Sequence, residues 1–224
     1  MHFPSFDSLH RLALKRRGPE ELEELMPIPR TAAELEAEPD SRYLAEMTRR
    51  VFHAGAAARV VDGRWRELEE AFHGFDPARL AAQTGDEVDA LMDNDAIGRH
   101  RQKILSVRDN AGFVLAIAAE HGGFGRFLAT WPLADTVGLW EVLQKRGSRL
   151  GGLTGQIFLR SVGRDTFLLT RDVVGSLIRD GVIERAPTSK ADLAVVQEAF
   201  ARWREETGLP LCQISAVIAC GFEA

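Results

Sequence analysis

An all-α fold is the architecture this sequence predicts, and three kinds of observation lead to it. Apolar residues recur at helical spacing in one segment after another: Leu44, Met47, Val51 and Phe52 share a face, as do Trp65, Leu68, Phe72 and Phe75. Helix-start signals stand just ahead of such stretches, as with Thr31 and Glu34, Asp76 and Pro77, or Ser189 and Asp192. Finally, the run 141–176 has the grammar of short helices joined by a tight glycine turn.

The elements follow in order. Residues 1–39, rich in charge and proline, predict helices at about 7–17, 19–26 and 31–37, forming an N-terminal helical arm. A helix over 41–59 comes next, followed by the Trp65–Phe75 stripe, which ends where Asp76 and Pro77 cap and open another helix. Further helices are expected at about 77–82, 85–93, 95–119, 123–130 and 136–146. Val173, Val174, Leu177 and Ile178 mark a short amphipathic helix, and Leu193, Val196, Phe200 and Trp203 a longer one that Gly208 and Pro210 end. The apolar run 211–220 forms the last helix.

Composition narrows the class. A chain of 224 residues, 45% hydrophobic, buries a substantial core in one large domain or two packed lobes. No window approaches the ~20 apolar residues of a membrane span, and the N-terminal stretch lacks the apolar core of a signal peptide. A cytoplasmic monomer without membrane association is the expectation. The net charge of −5 does not advertise a nucleic-acid binder, but the charges are unevenly placed: 20–38 is acidic, whereas 98–103 and 145–149 are basic. Cys212 and Cys220, eight residues apart on one helix, lie ~12 Å apart, too far for a disulfide, and read as free thiols.

The glycine turn is the most informative stretch. One helix ends in Lys145 and Arg146 before Gly147; Arg149, Gly151 and Gly152 follow, and a second helix opens near Thr154 and Gly155, with Leu153, Ile157, Phe158 and Val162 as its stripe. Unpaired N–H groups at that helix start, with three cations beside them, suit an anion such as a nucleic-acid phosphate. An ordinary helix end on a solvated basic face fits the same residues.

Family resemblance enters here. FHAG at 52–55, AFHGFDP at 71–77, IGRHRQKI at 97–104 followed by Asn110 and Ala111, and KRG at 145–147 form an ordered set spanning roughly 40–172. This set resembles the bacterial DNA-3-methyladenine glycosylase type I family, and 150–172 resembles the hairpin of the wider helix-hairpin-helix DNA glycosylase superfamily. The resemblance implies two helical lobes around a cleft for DNA and an extruded base: residues 1–39 as the arm, 40–224 as the glycosylase-like domain, with a middle lobe at about 60–135 and a hairpin lobe built from 40–59 and 136–224. It implies excision of an alkylated purine such as 3-methyladenine from double-stranded DNA by hydrolysis of the N-glycosidic bond, without a cofactor.

The sequence departs from the family where base recognition is concerned. Arg50 stands where the family carries a base-contacting glutamate, His53 where it carries a glutamine and Ala58 where it carries a tryptophan. In the hairpin Gly151 replaces a proline and Thr154 a glycine, and the superfamily aspartate falls on Thr170 or Asp172. The family's paired Cys/His zinc ligands have no evident counterpart, so no structural zinc is expected.

Excision needs a flipped base, a pocket that holds it, and a group that stabilises the cationic sugar or activates water. Asp172 is the first candidate for that group; it also fits a cap for the helix that follows. Glu46, one turn before Arg50, is the second catalytic candidate, and it equally suits an intrahelical pair with Arg50. Arg50, Phe52, His53 and Trp65 are the pocket candidates, with core packing the competing role for the aromatics. Lys145, Arg146, Gly147, Arg149, Gly151, Gly152, Thr154 and Gly155 in the hairpin, together with Arg99, Arg101 and Lys103, are the candidate DNA contacts. Two other functions fit the same residues: a non-catalytic DNA-binding or lesion-sensing relative, and a helical protein-interaction module.

Overall fold

The computed structural model describes residues 3–55, 58–94, 97 and 100–223. Among them every regular element is helical, so the predicted class is the one that forms. The chain divides into two compact units, one made of 1–30, 132–139 and 163–224, the other of 31–131 and 140–162.

The first unit is built on α1 (Phe6–Arg17), α2 (Pro19–Glu24), α13 (Arg171–Arg179), α14 (Lys190–Thr207) and α15 (Leu211–Cys220). Helix α1 buries Phe6, Leu9 and Ala13 and packs on α15. Residues 3–30 group with this unit, while 31–39 group with the other. Phe167 stacks on Phe200 at 4.2 Å, and the Trp203 indole donates to the Pro4 carbonyl at 2.9 Å. The N-terminus of α15 follows Pro210 and has no cap of its own. Asp165 supplies one from a distance, accepting from Leu211 N at 3.1 Å and Cys212 N at 2.8 Å. Cys212 and Cys220 both lie on α15 as free thiols.

The second unit runs from α3 (Ala32–Ala37) and α4 (Asp40–His53) through α5 (Ala58–Gly63), α6 (Trp65–Ala71), α7 (Pro77–Ala81), α8 (Gly85–Leu91), α9 (Arg101–His121) and α10 (Phe124–Thr130). It also holds the end of α11 (Thr136–Arg146) and all of α12 (Leu153–Ser161). Residues 40–59 thus belong with the middle stretch. Helix α9 is the axis, with α4, α7, α8 and α10 packed against it. Its core face carries Ile104, Val107, Ala111, Val114 and Ile117. The predicted helix starts are present: Thr31 and Glu34 form a capping box, and Asp76 caps α7 by accepting from Arg79 N at 2.9 Å. The expected helix from 41 to 59 instead stops at His53, because Gly55 takes a positive φ of 76°. That break is what shapes the site.

Candidate functional site

The last two turns of α4 carry Glu46, Arg49, Arg50 and His53, and the cations among them favour the negative end of the helix. Glu46 Oε1 lies 2.6 Å from Arg50 Nε, with side chains only 18% and 21% exposed. The angles fall outside hydrogen-bond geometry and neither atom has another partner, so this is an ion pair held by charge. Of the two roles expected for Glu46, the intrahelical pair is the one formed.

Just past the break, α5 brings Asp62 back against α4. One of its oxygens takes Arg49 Nε at 2.8 Å and faces His53 Nε2 at 3.1 Å. The Arg49 hydrogen bond, with help from His53, holds the Asp62 carboxyl below the ordinary 3.8. The Arg49 guanidinium also lies 5.1 Å from the centroid of Trp65, which stacks on Phe75 at 5.4 Å. Nothing local in the sequence ties Asp62 to residues 49 and 53.

Two pocket candidates turn out to be packing residues. Phe52 is 5% exposed and meets Phe72 edge-on at 6.2 Å, so its ring lies in the core rather than open to a base. Trp65 is half-buried and already engaged by Phe75 and Arg49. Arg50 and His53 keep partial exposure.

The expected DNA contacts differ among themselves. Lys103 is not an open phosphate contact: it is 7% exposed and its ammonium donates to the carbonyls of Phe52 at 3.0 Å and Ala54 at 2.8 Å, closing the C-terminus of α4. Burial, and secondarily the charge of Arg149, push its pKa down. Arg101 pairs with Asp89 at 2.9 Å, and Arg99 lies outside the described residues.

In the hairpin, Lys145 pairs with Glu141 at 2.8 Å and Arg146 grips both oxygens of Glu120 at 2.7 and 2.6 Å. Arg149 is exposed. Helix α12 starts at Leu153 behind Gly152, whose φ of 58° suits glycine, and no side chain caps it. Gly155 permits close packing, since a Cβ there would collide with the Leu150 carbonyl. Thr154 is half-buried in the first turn, and Gly147 and Gly151 lie in the connecting turn. The predicted stripe is mostly buried through Phe158 and Val162, but Leu153 stays 40% exposed.

Asp172 belongs to the first unit and is exposed near the start of α13. It is not the cap of that helix: the Thr170 hydroxyl accepts from Val173 N at 3.3 Å and does that work.

Among the described residues no three His, Cys, Asp or Glu side chains converge to hold a metal. The same residues include no helix long and apolar enough to cross a membrane.

The framework from α4 to α11 is also where similarity to known proteins concentrates. The methyladenine glycosylase family model matches residues 36–145. The DNA-3-methyladenine glycosylase of Haemophilus influenzae is 31% identical over an alignment covering 49% of this chain and 70% of that relative. The chain belongs to the methyladenine glycosylase family. Its fold agrees with solved members: a 3-methyladenine DNA glycosylase I from Staphylococcus aureus superposes with a TM-score of 0.51 at 22% identity, covering 72% of this chain and 94% of the other. A 3-methyladenine DNA glycosylase I solved with 3-methyladenine gives 0.51 at 24% identity, over 64% and 83%. Within this methyladenine glycosylase scaffold, the matched stretch contains Glu46, Arg50, His53 and Asp62 but not Asp172.

Proposed function

We propose that this chain is a base-excision repair glycosylase that hydrolyses the N-glycosidic bond of an alkylated purine such as 3-methyladenine in double-stranded DNA, after flipping the nucleotide out of the helix. The observation that carries the reading is the 31% identity to a DNA-3-methyladenine glycosylase over 70% of that enzyme's length. Under the same proposal the chain acts as a monomer in the cytoplasm on damaged DNA.

The roles follow from the chemistry of the step. A purine methylated at N3 or N7 is already cationic, so its bond to the sugar is weak and the protein needs to supply orientation, a dry pocket and one carboxylate. Asp172 is proposed as that carboxylate, stabilising the cationic sugar or activating water, because it is ionisable, exposed and released from capping by Thr170. Glu46 and Arg50 together are proposed to line the base site as a neutral ion pair, offering a guanidinium donor and a carboxylate acceptor from one helix. His53, fixed by Asp62, adds one imidazole edge.

Incubating the purified chain with methylated duplex DNA tests the proposal. Free 3-methyladenine and matching abasic sites are expected. Failure to release any base from alkylated, deaminated or oxidised duplexes would contradict it.

A further inference from the structure

The three cations around the hairpin turn are not equivalent. Lys145 and Arg146 each already face a carboxylate, Glu141 and Glu120, while Arg149 has no acidic partner among the described residues. Its neighbour Ser148 is gripped at both backbone polar groups by Asn110, a fully buried side chain on α9. Asn110 Nδ2 donates to Ser148 O at 3.0 Å, and Ser148 N donates to Asn110 Oδ1 at 2.7 Å. Directly after this clamp, Arg149 adopts a φ of 62°, in the left-handed region that side-chain-bearing residues rarely enter.

The electrostatics points the same way. Lys103, buried and bonded only to carbonyls, feels the positive charge of Arg149, and neither cation has a carboxylate beside it among the described residues. Like charges kept close without a counter-ion repel. A bound anion would relieve that repulsion, which paired Lys145 and Arg146 do not require.

We propose that Asn110 is the positioning residue of the hairpin, fixing the 148–149 backbone so that Arg149 is the principal contact to a DNA phosphate. This rests on the glycosylase reading. The arrangement differs from what the basic run 145–149 suggests, since two of its three cations have intramolecular partners and the residue that sets the third lies 38 positions upstream of Ser148.

The test is a double-variant cycle on the full chain, reading affinity for an undamaged duplex by fluorescence anisotropy across a salt series, with melting temperature measured in parallel. Arg149→Gly keeps the left-handed turn and removes the guanidinium; affinity should fall roughly tenfold and the log–log salt slope should shrink by about 0.9, while the melting temperature holds or rises. Lys145→Ala, whose cation is already paired, should reduce affinity by a smaller factor. Asn110→Ala should weaken binding in the unmodified background and add little to Arg149→Gly. Unchanged affinity and slope in Arg149→Gly, a larger loss from Lys145→Ala, or full additivity of Asn110→Ala would each overturn the inference. If the unmodified chain releases base yet Arg149→Gly binds as before, only this inference fails; if it neither binds duplex nor releases base, the glycosylase reading fails with it.

Discussion

Glu46 and Arg50 form a 2.6 Å ion pair one turn apart on α4, both about four-fifths buried, with Arg50 at the position where the family resemblance places a glutamate. A carboxylate already neutralised by a neighbouring guanidinium is a different recognition element from a free one. Removing either partner strands a charge that is largely shielded from water. Glu46→Gln and Arg50→Met should each destabilise the fold by about 1–3 kcal/mol, and the double variant by less than their sum. Denaturant unfolding of the four proteins measures the coupling; strict additivity would mean the pair does not act as a unit.

The same pair bears on the substrate. Lining the base site as proposed, a neutral pair pulls less on a cationic base than an unpaired carboxylate would, so Arg50→Ala should raise single-turnover excision of cationic 3-methyladenine relative to a neutral lesion. Release rates on the two duplexes check this, and an unchanged ratio would place Arg50 outside the base site.

Asp62 sets a pH dependence. Its folded pKa is depressed, chiefly by Arg49, so the interaction contributes stability above the ordinary carboxyl value of 3.8 and loses it as pH falls through the lower folded pKa. Asp62→Asn should flatten that part of the acid limb of stability below pH ~4 and leave the neutral-to-alkaline limb in place. Acid titration of the melting temperature, in both proteins, is the measurement.

Thr170 and Asp172 separate by opposite phenotypes. Thr170→Ala removes the cap of α13 and should cost about 0.5–2 kcal/mol, with Asp172 left intact. Asp172→Asn should leave stability within about 0.5 kcal/mol and lose excision. A fully active Asp172→Asn protein would end the catalytic assignment.

What the sequence made legible was local. Thr31 with Glu34, Asp76 with Pro77, and Ser189 with Asp192 each cap a helix within three residues, and each forms as read. What it hid was long-range pairing. Asp165 caps a helix 46 residues away, and Asp62 returns to Arg49 and His53 only because α4 breaks at Gly55. Lys103 illustrates the limit: its place in a basic run suggested a phosphate contact, but charge alone does not reveal which face of α9 it occupies. Thr170 and Asp172 both satisfy the local rule for a helix start, and only the geometry of Val173 N distinguishes them.

The most direct measurement is single-turnover release of 3-methyladenine from methylated duplex DNA with enzyme in excess, set against spontaneous loss from the same duplex. Release well above the spontaneous rate is expected in the unmodified chain, with a return toward that rate in Asp172→Asn. Release by the unmodified chain at the spontaneous rate would contradict the account.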